Sequence, residues 1–301
     1  MADSNQDLWV DWLSDYRFPG GEEESRIRNM LDRKRDKLIQ NADISPGDTV
    51  LDVGCGDGFI GIKATKETGS EGKVLFLDSS PDVLDQARSN VQETDPAAAT
   101  EFKVDSAIDL ESIATDTIDV ILARSVLLFV SSPSTVFDQF HRVLKPEGRF
   151  SINESIRKFI HEMNQHQNTI LGYNLAEYEK EVPDRVIELT DKFWQYIENN
   201  RTEIGTTLFS ELDLFKMAEN AGFNSISLDF HVRTDSNRRA AQWDEWLSSS
   251  FGPGRPTNRE VLENAFTEHE KEQFRQFVRP LIETNVSKVN RKASAYLYGV
   301  R

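Results

Sequence analysis

Three glycines and several carboxylates follow short apolar runs, in a spacing that could hold a small charged ligand. Val50-Leu51-Asp52-Val53 runs into Gly54-Cys55-Gly56-Asp57-Gly58-Phe59-Ile60-Gly61. Glycines after a strand allow a tight turn and let a ligand approach the main chain. A second apolar run, Lys73 to Leu77, ends in Asp78 and Ser79, with Asp78 lying 20 residues beyond Gly58. A carboxylate there can accept hydrogen bonds from two ribose hydroxyls. A third run, Phe102 to Val104, ends in Asp105-Ser106-Ala107. Alone, Asp105 reads as a turn residue; beside the other two features it reads as an acceptor for an adenine amino group. Two further runs end in Ala123-Arg124 and Asn153-Glu154.

Charge separates the ligands that such a loop could take. Residues 56–61 formally match GxGxxG, the dinucleotide fingerprint. A pyrophosphate, however, wants a helix N-terminus free of carboxylates. Asp52 and Asp57 would repel it, and both suit a ligand carrying a sulfonium and an ammonium. S-adenosylmethionine (SAM) has both cations and no phosphate. An NAD-dependent oxidoreductase is the alternative that this charge argument disfavours.

The elements that must position these residues follow from periodicity and punctuation. Residues 5–42 read as helical with a break at Pro19-Gly20-Gly21, and Glu22 to Glu24 suit the positive start of the second helix. Strands are predicted at 49–53, 73–78, 101–105, 118–123 (reading on through 126–130) and 149–153. Helices are predicted at 59–68, 81–94 and 134–144, the second opened by Ser80 and Pro81. Strands separated by single helices imply parallel pairing with right-handed crossovers. The alternation stops near Glu154 and returns with a helix at 211–220 and strands at 223–232 and 293–300. The reading is one α/β domain over 1–301. Its helical additions are an N-terminal lid at 1–42 and substrate-pocket insertions at 155–210 and 238–285.

Composition excludes several classes. The chain has 301 residues and a net charge of −16, from 35 basic and 51 acidic side chains. Partners with nucleic-acid or anionic-membrane surfaces need clustered Lys and Arg, so neither is expected. One cysteine, Cys55, permits no intramolecular disulfide and no multi-cysteine metal site; five histidines form no HExxH pair, and no metal is expected. The N-terminus has no signal-peptide pattern, and no run approaches the ~20 apolar residues of a membrane helix. A soluble, cytoplasmic protein is expected.

The stretches LDVGCGDG (51–58), LFLDSSPDVLDQAR (75–88), FKVDSA (102–107) and IDVILARSVLLFV with FDQFHRVLKPEGRFSINE (within 118–154) resemble the class I SAM-dependent methyltransferases, nearest the branch called methyltransferase type 11. The resemblance implies a Rossmann-like seven-stranded sheet with its last strand antiparallel. It implies that Gly54, Cys55 and Gly56 run along the methionine part of SAM, that Asp78 with Ser79 holds the ribose, and that Asp105, Ser106 and Ala107 meet the adenine. Ala123 and Arg124 would border the methionine group and the reacting sulfur. Ala123-Arg124-Ser125 lacks the Asn/Asp-Pro-Pro-Tyr signature of enzymes that methylate amino groups of bases and glutamine. Arsenite methyltransferases look similar through this core, but they hold the metalloid by several cysteines, and this chain has one.

The resulting expectation is a methyltransferase that acts on a small or medium-sized organic acceptor and releases S-adenosylhomocysteine (SAH). A non-catalytic SAM-binding protein is the alternative. Methyl transfer needs the acceptor held in line with the methyl group, and a base only where the acceptor must lose a proton. Arg124 and Glu154 are the catalytic candidates. Arg124 could clamp a substrate carboxylate or pair with Glu154. Asn153 or Glu154 could face the acceptor or serve a cap or turn. His141 reads as structural, while His161 and His166 could reach a substrate. Trp9, Trp12 and Tyr16 could close over the cofactor. Tyr173, Tyr178, Phe193, Trp194, Trp243, Trp246 and Phe251 could line a cavity.

Overall fold

Runs of β-branched and aromatic residues that alternate little in polarity belong in a sheet covered on both faces. Such runs form β1 (Thr49–Val53), β2 (Lys73–Asp78), β4 (Ile118–Arg124) and the second half of β5 (Leu144–Ser155), while β3 (Ala99–Val104) is a more polar edge strand. The computed structural model describes residues 9–10, 13, 21–164, 169–171, 173–174, 182–200, 207–237, 241–250, 255–284, 286 and 288–301. β1 pairs in parallel with β2 and β4, β2 with β3, and β4 with β5. The last strand, β7 (Lys288–Val300), runs antiparallel to β5, and β6 (Asn224–Asn237) pairs with β7. The order is β3-β2-β1-β4-β5-β7, with β6 on β7. These seven strands are the mixed sheet expected from the sequence, and the two-residue strands Thr169–Ile170 and Tyr173–Asn174 bring the sheet to nine, with Tyr173 paired to Lys288.

The chain divides into two compact units. The first comprises residues 1–158, 205–231 and 293–301. Its helices are α1 (Gly21–Ala42), α2 (Phe59–Thr68), α3 (Pro81–Glu93), α4 (Pro133–Val143) and α7 (Glu211–Asn220). α3 starts as its sequence predicts, with Ser80 Oγ accepting from the Val83 N–H and Pro81 in the first turn. One core layer joins Leu38 of α1, Ile60 and Ala64 of α2 and Val91 of α3 to Val50, Val74, Phe76 and Val120 of the sheet. Elsewhere Phe137, Phe150 and Phe223 meet edge to face, with Phe150 and Phe223 4.5 Å apart. His141 lies beside Phe223, and burial lowers its pKa, in keeping with the structural role expected of it.

The second unit comprises residues 159–204 and 232–292. α5 (Arg157–Asn164) runs into it, and it contains α6 (Asp184–Asn199), α8 (Trp243–Ser248), α9 (Asn258–Ala265) and α10 (Glu268–Glu283). Phe193 stacks on Phe274 at 5.6 Å and on Trp246 at 6.0 Å, and Trp243 stacks on Trp246 at 4.9 Å. These rings, with buried Tyr173, make the interior of this unit. Glu270 completes the capping box of α10 with the N-cap Thr267 and pairs with Arg185 and Lys192; the hydrogen bond from Lys192 leads in holding its carboxyl down at about 2. Trp12, Tyr16, His166, Tyr178 and Phe251 lie outside the described residues, as does the side chain of His161.

Several strand ends differ from expectation, as β3, β5, β6 and β7 show, and the end of β4 is the one that bears on the site. β4 stops at Arg124, whose register partner is Asn153, and Leu127–Phe129 form a 3-10 turn instead of more strand. Ser125 has φ 57°, and the Val126 and Leu127 amides donate to the Glu154 carboxylate rather than to a ladder. Among the described residues no helix is long and apolar enough to cross a membrane.

Candidate functional site

Register brings the candidate residues to one edge of the sheet. Val53 lies beside Leu77 and Ala123, Asp78 beside Val104, and Arg124 beside Asn153. The chain therefore leaves β1, β2, β3, β4 and β5 at Gly54, Ser79, Asp105, Ser125 and Ile156 on the carboxyl edge, where open α/β sheets bind ligands.

The loop after β1 turns through left-handed glycines, with φ 61° at Gly54, 56° at Gly56 and 84° at Gly58. Gly54 is constrained further: a Cβ there would lie 2.5 Å from Val126 Cγ2. Asp78 holds the loop in place. Its Oδ2 accepts from the Gly56 N–H at 3.0 Å and its Oδ1 from the Ser80 N–H at 3.1 Å. Burial raises the Asp78 pKa against these bonds. Each oxygen keeps a lone pair, so the carboxylate can serve the loop and a pair of ribose hydroxyls together. Ser79 is exposed beside it, and Cys55 is buried with its N–H on the Leu77 carbonyl. Burial also pushes the Cys55 thiol well up, which keeps it protonated and unreactive.

Asp52 is 1% exposed, and its Oδ2 accepts from the Gly61 N–H at 2.8 Å. Burial raises its carboxyl to about 7; the Gly61 bond and the charge of Arg124 act the other way. Asp52 thus ties α2 to β1 beneath the loop. Asp105 is half-buried and accepts from the Ser106 and Ser112 amides at 2.7 Å. Burial raises its carboxyl, but the bonds from Ser112 and Ser106 outweigh it and leave the pKa lowered. Ser106 Oγ accepts from the Ile108 N–H, and Ala107 is half-buried.

Ala123 is fully buried, whereas Arg124 is half-exposed and its charge acts on Asp52, Glu154 and Tyr296. Asn153 is buried and donates to the Ala295 carbonyl at 3.2 Å, a link between β5 and β7. Glu154 is completely buried, with its Oε1 on the amides of Val126 at 2.8 Å and Leu127 at 3.0 Å. Burial raises it to about 7. Above the loop, Leu13 Cδ1 is 3.7 Å from where a Gly56 Cβ would be, and Trp9 meets Phe129 edge to face at 4.8 Å. Leu13 thus approaches the glycine loop. Sequence reasoning missed Val126, Phe129 and Tyr296. Tyr296 left one signal, its place opposite Asn153 in the strand alternation.

The residues of this loop fit SAM: its glycines leave it bare of side chains, Asp57 lies within it, and the half-buried Asp78 beside it keeps acceptor capacity on both oxygens. Sheet order, glycine loop and acidic strand ends together define a class I SAM-dependent methyltransferase. A family model described as "Methyltransferase domain" matches residues 44–208, more than half of the chain, and the chain belongs to that family. It is similar to an arsenite methyltransferase of Halobacterium salinarum, 34% identical over 116 residues. That match covers 38% of this chain and only 29% of the relative. It is also 24% identical to a demethylmenaquinone methyltransferase of Lactobacillus johnsonii, over 64% of this chain and 74% of the relative. Phosphoethanolamine N-methyltransferase 2 of Haemonchus contortus, solved with phosphomonomethylethanolamine and SAH, shares the fold. Its TM-score is 0.53 at 15% identity, with 100% of this chain and 60% of that chain covered.

Proposed function

We propose that this protein is a cytoplasmic enzyme that transfers a methyl group from SAM to a small or medium-sized organic acceptor and releases SAH. The observation that carries the reading is the loop after β1: left-handed glycines held by Asp78, with Asp52 and Asp57 beside them. Asp78 would accept the ribose hydroxyls, Asp105 with Ser106 and Ala107 would meet the adenine, and Gly54 to Gly56 with Ala123 and Arg124 would border the methionine part. When bound, SAM supplies an electrophilic methyl group on a sulfonium. The residues of this chain orient it, balance its charge and hold the acceptor in line, and positioning of this kind can supply much of the rate. Arg124 is the cation at this edge that would meet an acidic acceptor group. The relatives named for quinones support a small-molecule acceptor, and the single cysteine argues against arsenite. The additions at 1–42, 155–210 and 238–285 of one methyltransferase domain would choose the acceptor.

Calorimetric titration tests the cofactor. SAM and SAH should bind saturably and NAD should not; NAD binding without SAM binding would sink the reading. Conversion of SAM to SAH with a panel of quinols, phenols and amines separates an enzyme from a non-catalytic binder.

Asp78→Ala should weaken SAH binding at least about tenfold, since hydrogen bonds to a charged group contribute about 1.5–3 kcal/mol each. The Gly56 amide loses its anchor in the same change. Asp78→Asn, which keeps one oxygen, should retain part of the affinity. Unchanged affinity in Asp78→Ala would mean that Asp78 neither meets the cofactor nor sets the loop for it.

A further inference from the structure

Glu154, next to last in β5, has its side chain fully buried, yet its bonds lead to the neighbouring turn and not to an open site. Oε1 accepts from the Val126 amide at 2.8 Å and the Leu127 amide at 3.0 Å, and the Leu128 amide adds to the same interaction. Oε2 is buried with no hydrogen-bond partner among the described residues. One residue earlier, the Asn153 carbonyl accepts from the Ser125 N–H at 2.9 Å. These two residues near the end of β5 thus hold the reversal after β4, where Ser125 has φ 57°. Unpaired amides at the start of a buried turn would be costly, and a carboxylate is the strongest acceptor a side chain can offer them.

That turn sets Val126 against the glycine loop. Val126 Cγ2 occupies the space that a Gly54 Cβ would need, at 2.5 Å. The contacts run in one chain: Glu154 fixes the amide of Val126, and the Val126 side chain abuts Gly54. Arg124, immediately before the turn, exerts its charge on both Asp52 and Glu154. A general base would need an oxygen able to meet a bound acceptor; Oε1 is committed to amides, and Oε2 has no exposed surface.

We propose that Glu154 is a positioning residue that sets the cofactor loop through Val126, and that it exchanges no proton with the acceptor. This rests on the reading that the Gly54–Gly58 loop carries SAM.

The test uses SAH affinity in the full chain with the variants Glu154→Gln, Glu154→Ala, Val126→Ala and the Glu154→Ala/Val126→Ala pair. Glu154→Ala should bind SAH at least about tenfold more weakly. Glu154→Gln, which keeps an oxygen for the two amides, should stay within about threefold of the parent. The paired variant should be no weaker than Glu154→Ala alone, because both changes break one chain of contacts. Ile118→Ala at the far end of β4 supplies a core truncation remote from the loop, and it should leave SAH affinity unaltered. Once an acceptor is known, Glu154→Gln should also keep the pH profile of turnover, whereas loss of a base would remove its acidic limb. Parent-like SAH affinity in Glu154→Ala, or additive losses in the pair, would overturn the role of Glu154 while leaving the cofactor reading intact. Failure of the parent chain to bind SAM or SAH would overturn both.

Discussion

Gly61→Ala is expected to destabilise the first unit by about 3 kcal/mol, although alanine is the better helix former by about 1 kcal/mol. A Cβ at this position would meet Phe76 Cε1 at 2.3 Å, Phe76 Cζ at 2.8 Å and Asp52 Oδ2 at 2.9 Å. Phe76 cannot yield easily, because it is fully buried and stacked on Phe102 at 5.0 Å. Overpacking of this kind costs roughly 1–3 kcal/mol. The Gly61 N–H is also the hydrogen-bond donor to Asp52, so lifting α2 away from the sheet strips a buried carboxyl of that donor. That adds roughly 1–3 kcal/mol. Urea unfolding of the full chain, followed by circular dichroism, measures the loss; Lys66→Ala, on an exposed position of the same helix, should change stability by less than about 0.5 kcal/mol. Equal stability of Gly61→Ala and the parent would mean that α2 does not sit this closely on β1 and β2.

Gly61 also marks what the sequence makes legible and what it does not. The glycines after β1, Asp78 at the end of β2 and Asp105 after β3 were readable because each follows an apolar run, and parallel pairing then aligns those run ends along one edge. The third glycine of the formal fingerprint matched a dinucleotide motif as well as this one. Its use here is close packing of helix on strand, which needs the three-dimensional neighbours Phe76 and Asp52. Glu154 was recognisable as an edge residue, but its hold on Val126 and Leu127 was not. That hold depends on where β4 ends against β5, and the apolar spelling Val126 to Val130 reads equally well as continued strand. Tyr296 is remote in sequence from everything it meets. In the second unit the aromatic spacing could not separate pocket from interior, since a helix presents both at the same period; Phe193, Trp243 and Trp246 proved to be interior. Tryptophans in the N-terminal segment read equally as lid or as core, and of its described residues Trp9 meets Phe129 and Leu13 approaches Gly56.

Asp52→Asn should gain stability relative to the parent as pH rises, in a window given by the parent's own titration. Burial raises the Asp52 carboxyl from 3.8 to about 7 and the Glu154 carboxyl from 4.5 to about 7. Between pH 4 and 7 the folded chain therefore holds protons that the unfolded chain has released. The stability from that difference is complete below the unfolded values near pH 4, is lost as pH rises towards 7, and changes little above it. At about 1.4 kcal/mol per pH unit, each carboxyl accounts for roughly 3–4 kcal/mol across the window. Asparagine cannot ionise, and its side-chain oxygen can still accept from the Gly61 amide. The variant should accordingly rise against the parent by up to about 1.4 kcal/mol per pH unit from pH 5 to 7 and level off by pH 8. Glu154→Gln should behave alike, because an amide oxygen can serve the Val126 and Leu127 amides. Other groups titrate in the same range, so the informative quantity is the gap between variant and parent in urea unfolding at pH 5, 6, 7 and 8. A constant gap would mean that these carboxyls ionise alike in the folded and unfolded chains. A gap that widens as described would identify Asp52 and Glu154 as buried acids beneath the glycine loop, with the Arg124 charge opposing the effect of their burial.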